Sequence, residues 1–409
     1  MLLFKNARLV DGHSKTARPG MNVLVDGATI REVSAKPIKS PSATAIDLKG
    51  RTLMPGLIDC HVHVVATMAN LALNAAMPTS FTALKSVAIM AAMLRRGFTT
   101  VRDASGADLG LKLAVEQDLF VAPRLFIAGK SLSQTGGHGD LRGRFDDRDF
   151  CLCHARVGLL SRIADGVDAV RKAVREEIKG GADQIKIMAS GGVASPTDPI
   201  DFLGYSRDEV LAAVEEATNA RTYVMAHAYT AEAIARAVDC GVRSIEHANL
   251  VDLKTAKAMT ARGAFAVPTL VTYEALATEG ASLGLPPESV AKIERVRSAG
   301  LASLDIFRRA GTKVAFGSDL LGEMHRHQSG EFAIRARVQQ AHEIVASATS
   351  VAADLLNMNG KLGTVAPGAF ADLLVVDGDP LVDATILGGQ GENLRAILKN
   401  GKFYKNELG

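Results

Sequence analysis

Thr52-Leu53-Met54-Pro55-Gly56-Leu57-Ile58-Asp59-Cys60-His61-Val62-His63 is an apolar run ending in two histidines two residues apart. On a strand, such residues point to the same side, so His61 and His63 project together while Cys60 and Val62 turn away. Two imidazoles side by side at a strand end pack poorly and hold a divalent metal well. In isolation the pair could equally be surface histidines on an edge strand. The rest of the chain separates the two readings.

Downstream of this run, strands alternate with helices. Strands are expected at 57–64, 99–103, 124–130, 184–189, 223–227, 244–247, 264–268 and 314–318. Residues 167–179 and 208–219 carry apolar side chains at helical spacing with charges opposite, and Ser206 with Glu209 forms a capping box for the second helix. Eight such repeats over roughly 300 residues predict an α/β fold, a (β/α)8 TIM barrel spanning 57–359. A doubly wound sheet ranks second, because no Gly-rich dinucleotide fingerprint follows the early strands. Residues 1–56 read instead as short strands with turns, and the texture returns in 360–409. The two chain ends are expected to build one small β-sandwich domain together.

The chain has 409 residues, is 47% hydrophobic and carries a formal charge of +3, a globular composition without a nucleic-acid footprint. No stretch is long and apolar enough to span a bilayer. The first residues lack the charged-then-apolar pattern of a signal peptide. The four cysteines form no disulfide framework. A cytoplasmic location follows as the expectation.

Barrel chemistry sits at the C-terminal ends of the strands. His61 and His63 end the first strand, His227 the fifth, His247 the sixth and Asp319 the eighth. Each alone could be a packed histidine or a capping aspartate, but together at corresponding positions they point to a metal site. The fourth strand adds Lys186 in Gln184-Ile185-Lys186-Ile187-Met188. A lysine inside an apolar strand must snorkel, pair with an acid or lose its charge. A neutral amine can add carbon dioxide, and the resulting carbamate has two oxygens that can bridge two metals.

Asp59-x-His61-x-His63, Lys186, His227, His247 and Asp319, in this order, resemble the binuclear, carboxylated-lysine branch of the amidohydrolase superfamily. Met54-Pro55-Gly56-Leu57-Ile58-Asp59 and Leu362-Gly363-Thr364-Val365-Ala366-Pro367-Gly368-Ala369-Phe370-Ala371-Asp372-Leu373 extend the likeness to essentially the whole chain. Gly97-Phe98-Thr99-Thr100-Val101-Arg102-Asp103, Ser133-Gln134-Thr135-Gly136-Gly137-His138-Gly139-Asp140 and Lys186-Ile187-Met188-Ala189-Ser190-Gly191-Gly192-Val193 narrow it. They resemble the imidazolonepropionase-like prolidases and carboxypeptidases, a group that also hydrolyses ochratoxin A.

The resemblance implies two Zn2+ per chain and no organic cofactor. His61, His63, carboxylated Lys186 and Asp319 would hold the buried ion, and Lys186, His227 and His247 the exposed one. A hydroxide bridging the two would attack an amide carbonyl, with Asp319 moving the proton to the leaving amine. His138 and Tyr229 are candidates for contact with the oxyanion or the substrate carboxylate, and Arg326 is a further carboxylate candidate. The second His-x-His, His325 and His327, lacks partners at strand ends and is set aside. Cys151-Leu152-Cys153-His154 is read as a plain loop. The implied partners are a small peptide or N-acyl-amino acid and further copies of the chain in a homo-oligomer, with an octamer as one form of it.

Xaa-Pro dipeptides and N-acyl-amino acids are the expected substrates. The alternatives are a carboxypeptidase releasing Arg or Lys, an ochratoxin-type amidohydrolase, and a cyclic-amide hydrolase or deaminase. A scaffold that has lost its metals is the non-enzymatic reading, and the filled ligand positions oppose it.

Overall fold

The structure, a computed structural model, describes residues 1–146, 148, 157–195 and 197–408. Five strands open the chain: Leu2–Leu9 (β1), Arg18–Asp26 (β2), Thr29–Ser34 (β3), Thr44–Asp47 (β4) and Thr52–Pro55 (β5). β1 pairs antiparallel with β2 and parallel with β4 and β5. The β2–β3 hairpin turns at Gly27, whose φ of 55° suits glycine.

The next strands are Leu57–Val62 (β6), Phe98–Asp103 (β7) and Arg124–Ile127 (β8), which form a parallel sheet of three. Then come Ser131–Ser133 (β9), Ser161–Ile163 (β10), Ile185–Met188 (β11), Val224–Thr230 (β12), Ser244–Leu250 (β13), Phe265–Val267 (β14) and Lys313–Val314 (β15). These make a parallel sheet of seven in the order β10-β9-β11-β12-β13-β14-β15. Helices such as Val167–Lys179, Arg207–Asn219 and Ala231–Asp239 cover it. Ile185, Ile187, Val224, Ala226 and Ile245 pack against Val170, Val174, Val210 and Ile234 from those helices. Strands covered on both faces read as near-continuous apolar runs, so the charged residues within them stand out.

Hydrogen bonds join the two parallel sheets at both edges. Cys60 N–H donates to the Phe316 carbonyl at 2.8 Å, and Asp319 N–H to the His61 carbonyl at 2.8 Å. On the other side, Asp183 N–H donates to the Ile127 carbonyl at 2.7 Å. The last strands are Leu373–Val376 (β16), Leu394–Lys399 (β17) and Lys402–Asn406 (β18). β16 pairs antiparallel with β5, so both chain ends share one eight-stranded sheet. The run from Thr52 to His63 thus belongs to two sheets, β5 to this one and β6 to the first parallel one. Gly56 is the pivot, and a Cβ there would lie 2.0 Å from Thr99 Oγ1.

The strands expected at 57–64, 184–189 and 264–268 are trimmed by two residues each, and two others fall well short of their sequence pattern. The strand expected at 124–130 stops at Ile127, because Gly129 turns the chain with a φ of 66° and β9 begins afresh at Ser131. The strand expected at 314–318 is assigned only to Lys313–Val314, and by Asp319 the backbone is left-handed with a φ of 54°. The capping box at Ser206 and Glu209 is present.

Candidate metal centre

β6 carries His61 near its end and releases the chain so that His63 stands beside it, the ring centroids 5.3 Å apart. Asp319, beyond β15, reaches between them. Its Oδ1 lies 3.0 Å from His63 Nε2 and 3.4 Å from His61 Nε2, and its Oδ2 lies 3.7 Å from His247 Nδ1. Ligand atoms of His61, His247 and Asp319 all fall within 4.8 Å of one another. His247 on β13 and His227 on β12 bring their rings to 4.7 Å. Lys186 on β11 lines the same cavity. The structure therefore gathers all six expected ligand residues around one space.

Hydrogen bonds set which ring nitrogen each histidine offers. His61 Nδ1 lies 2.6 Å from Glu246 Oε2, so Nδ1–H donates to the carboxylate and Nε2 stays free. His227 Nε2 lies 3.0 Å from the Gly191 carbonyl, which leaves Nδ1 as the free nitrogen. His63 Nδ1 meets the carbonyl and hydroxyl of Ser105, each at 3.3 Å. His247 and Asp319 both adopt left-handed backbone, with φ of 72° and 54°. Non-glycine residues hold such angles where the surroundings over-determine them, commonly at functional sites.

Burial and neighbouring charge tune the group. Burial raises the Asp319 carboxyl, but His61, His63 and His247 outweigh it and hold the carboxyl well below its ordinary range. Burial keeps His227 and His247 well below the usual imidazole value, hence neutral and able to ligate. Lys186 is 2% exposed and has no hydrogen bond or ion pair among the described residues. Burial lowers its ammonium to about 8, against the pull of Glu246 and Asp319. A lysine so placed has an appreciable neutral fraction near neutral pH.

The cavity above the group encloses about 680 Å3, its open mouth included. Leu71, Leu141, Leu160, Val193 and Leu276 give it apolar walls, and Asp319 is the one carboxylate among its described lining residues. His138 lines it too, stacked on His227 with centroids 4.2 Å apart. Tyr229 is buried beside them, its hydroxyl 2.8 Å from that of Tyr273. Arg326 is not brought in: it pairs with Glu279 at the surface, as does His327 at 2.7 Å. His325 points elsewhere, its Nε2 3.1 Å from the Ala66 carbonyl, and burial lowers it to about 4. Cys60 packs among Ile58, Val267 and Leu355, away from the histidines. Cys151-Leu152-Cys153-His154 lies outside the described residues.

A model of the amidohydrolase family matches residues 52–404. The chain belongs to the amidohydrolase family. It is 31% identical to an ochratoxinase from Aspergillus niger over 369 residues, 86% of this chain and 75% of that protein. Among solved structures, a prolidase complexed with N-methylphosphonate-L-proline shares 55% identity and superimposes with a TM-score of 0.97, covering 99% of both chains. A Xaa-Pro dipeptidase with bound methionine shares 29% identity at a TM-score of 0.87, covering 99% of this chain and 100% of that one.

Sequence reading passed over part of this amidohydrolase site. Arg102 on β7 and Glu246 on β13 are both 0% exposed and form an ion pair, Nη2 to Oε1 at 3.0 Å. Arg102 also donates to the Cys60 carbonyl at 2.6 Å, and Ser244 Oγ donates to Glu246. Burial raises Glu246, yet Arg102 and His61 hold it below the usual carboxylate range. Asp59 accepts from Ser318 Oγ at 2.6 Å and Gln328 Nε2 at 2.9 Å, tying β6 to the loop that carries Asp319. The available signal was the one noticed for Lys186: a charge inside an apolar strand, here in Thr100-Val101-Arg102 and in Ser244-Ile245-Glu246.

Proposed function

We propose that this amidohydrolase cleaves the amide bond of a small substrate with a free carboxylate, a Xaa-Pro dipeptide first and an N-acyl-amino acid second. The convergence of His61, His63, His227, His247, Asp319 and Lys186 in one cavity with largely apolar walls carries the reading. The prolidase holding a phosphonate mimic of an acyl-proline supports the substrate class. The edge bonds between the parallel sheets support a closed (β/α)8 barrel over 57–359, and the shared end sheet supports a composite domain from 1–56 and 360–409.

The donor set fits two divalent ions. Imidazole nitrogens freed by their hydrogen bonds, an ionised carboxylate and an unpartnered buried lysine suit zinc, and manganese or cobalt would also be accepted. His61, His63 and Asp319 would hold one ion and His227 and His247 the other, with Lys186, once carboxylated, shared between them. When bound, the ions acidify water and polarise the scissile carbonyl. Asp319 is ionised and accepts the proton lost as water adds to the carbonyl carbon. The same carboxyl gives a proton to the amine nitrogen as the C–N bond breaks. Tyr229, accepting from the Tyr273 hydroxyl, would donate its own to the oxygen where negative charge develops. His138 Nδ1 is engaged by Ser195 Oγ at 2.7 Å, so Nε2 is left to meet the substrate carboxylate.

The carboxypeptidase alternative finds less support. A released Arg or Lys side chain needs a counter-charge, and the described walls carry none besides Asp319. The apolar walls do suit a bulky N-acyl group, which keeps the ochratoxinase-like reading second. Elemental analysis, paired with hydrolysis of Ala-Pro, N-acyl-phenylalanine and a C-terminal-Arg dipeptide, tests the proposal. Two metals per chain and turnover of Ala-Pro that Lys186→Ala abolishes are expected. One metal or none, with Lys186→Ala harmless, would overturn it.

A further inference from the structure

The wall of the cavity that carries Val193 and Ala194 follows β11 as an extended loop, not a regular element. Such a segment must satisfy its carbonyls elsewhere. Lys292, on the helix Pro287–Ala310, provides the partners. Its Nζ donates to the carbonyls of Gly192 at 2.9 Å, Ser195 at 2.8 Å and Asp198 at 2.7 Å. An ammonium has three donors, and all three are spent on this one loop.

The loop so held touches two site histidines. Ser195 Oγ lies 2.7 Å from His138 Nδ1, and Asp198 Oδ2 lies 3.5 Å from the same nitrogen. Asp198 Oδ2 also accepts from Gly192 N–H at 2.7 Å. The Gly191 carbonyl faces His227 Nε2. The backbone passes so close that a Cβ on Gly192 would lie 2.0 Å from the His138 ring. His138 therefore has its orientation set by a loop that is itself set from outside the cavity.

We propose that Lys292 is the positioning residue for substrate recognition: by pinning the carbonyls of Gly192, Ser195 and Asp198 it fixes Ser195 and Asp198 against His138 and so sets the affinity for the substrate carboxylate. This rests on the reading that His138 meets that carboxylate. Lys292 touches no substrate, being on the far side of the loop beside Pro199, Ile200 and Arg295.

The test compares wild type, Lys292→Met and Lys292→Arg as full-length, metal-loaded protein. Hydrogen exchange of peptides spanning 189–204 reads the pin directly. In Lys292→Met these amides should exchange about tenfold faster while β12 and β13 stay protected. KM for Ala-Pro should rise about tenfold, the scale of one lost charge-assisted hydrogen bond, with kcat within about twofold. Ala-prolinamide lacks the carboxylate and should be hydrolysed as by wild type. Lys292→Arg keeps the donors and should restore part of both effects. Unchanged exchange at 189–204 would overturn the proposal. So would faster exchange with an equal loss on both substrates, which marks a structural role only. If wild type hydrolyses neither substrate, the proposed function fails, and the pin stands or falls on hydrogen exchange alone.

Discussion

Replacing Glu246 with Gln removes one charge and almost no volume, at a position where three groups converge. The carboxylate accepts from His61 Nδ1 at 2.6 Å, from Arg102 Nη2 at 3.0 and 3.1 Å, and from Ser244 Oγ. A Gln amide must turn its NH2 toward one of these donors, and Arg102, 0% exposed, loses its counter-charge. Leaving a buried charge unpaired costs about 3–5 kcal/mol. For a protein of this size that lowers the melting temperature by about 4–6 °C. The second consequence concerns the metal. Glu246 fixes the tautomer that frees His61 Nε2, and losing such a partner typically costs about 10- to 100-fold in metal affinity. Scanning calorimetry of the metal-free protein and chelator competition of the loaded protein read the two effects separately. An Arg102→Met/Glu246→Met double variant separates them further. With no orphaned charge it should regain most of the melting temperature, whereas His61, still lacking its acceptor, should bind metal as weakly as in the single variant. Wild-type metal affinity in Glu246→Gln, alongside a lowered melting temperature, would refute the tautomer reasoning and leave Glu246 as a counter-ion for Arg102.

Three other outcomes follow from the same geometry. Asp319→Asn removes the proton acceptor and should lower kcat by about 10²- to 10⁴-fold in steady-state assays on Ala-Pro, with metal content measured alongside. Lys186 titrates at about 8 in the folded chain and near 10.4 when unfolded, so between these values only the unfolded chain holds the proton. Stability of the metal-free protein should therefore rise with pH across that window, by on the order of 3 kcal/mol in total, and Lys186→Met should flatten the rise in melting-temperature curves. His138→Ala should raise KM for Ala-Pro about tenfold and leave Ala-prolinamide unaffected, as read from initial rates.

The candidate ligand residues were legible because each interrupts an apolar strand pattern, and together they fall at corresponding strand ends. His61, His63, His227, His247 and Asp319 could be set at corresponding positions from the alternation of strands and helices, and the family resemblance made them a ligand set. What escaped was pairing. Arg102 and Glu246 lie 144 residues apart in sequence, and nothing local says that their charges meet. The same holds for Lys292, an ordinary lysine on an exposed-looking helix whose three carbonyl partners lie 94 to 100 residues away. Strand ends were missed for a different reason. Ladder pairing stops where backbone geometry changes, at Gly129 and before Asp319, while the apolar pattern continues past both points. Arg326 shows the converse error: its place after the last strand suggested the cavity, but Glu279 offered a partner at the surface.

Charge balance bears on the proposed pair of metals. Four carboxylates, Asp59, Asp103, Glu246 and Asp319, lie around the site, where Arg102 pairs with Glu246 and Lys186 adds a displaced ammonium. Burial raises Asp59, and it raises Asp103 to about 6, so both hold protons more readily than exposed carboxyls do. Carboxylating Lys186, as proposed, exchanges a cation for an anion. With Asp59 and Asp103 ionised, five anions would then face one guanidinium. An uncompensated excess of this size cannot persist in a buried site. Two divalent ions match it, and they would let Asp59 and Asp103 give up their protons, so metal loading should release protons into solution. A single divalent ion would leave half of that excess to be met by protons kept on Asp59 and Asp103, so the number of protons released on loading distinguishes one ion from two.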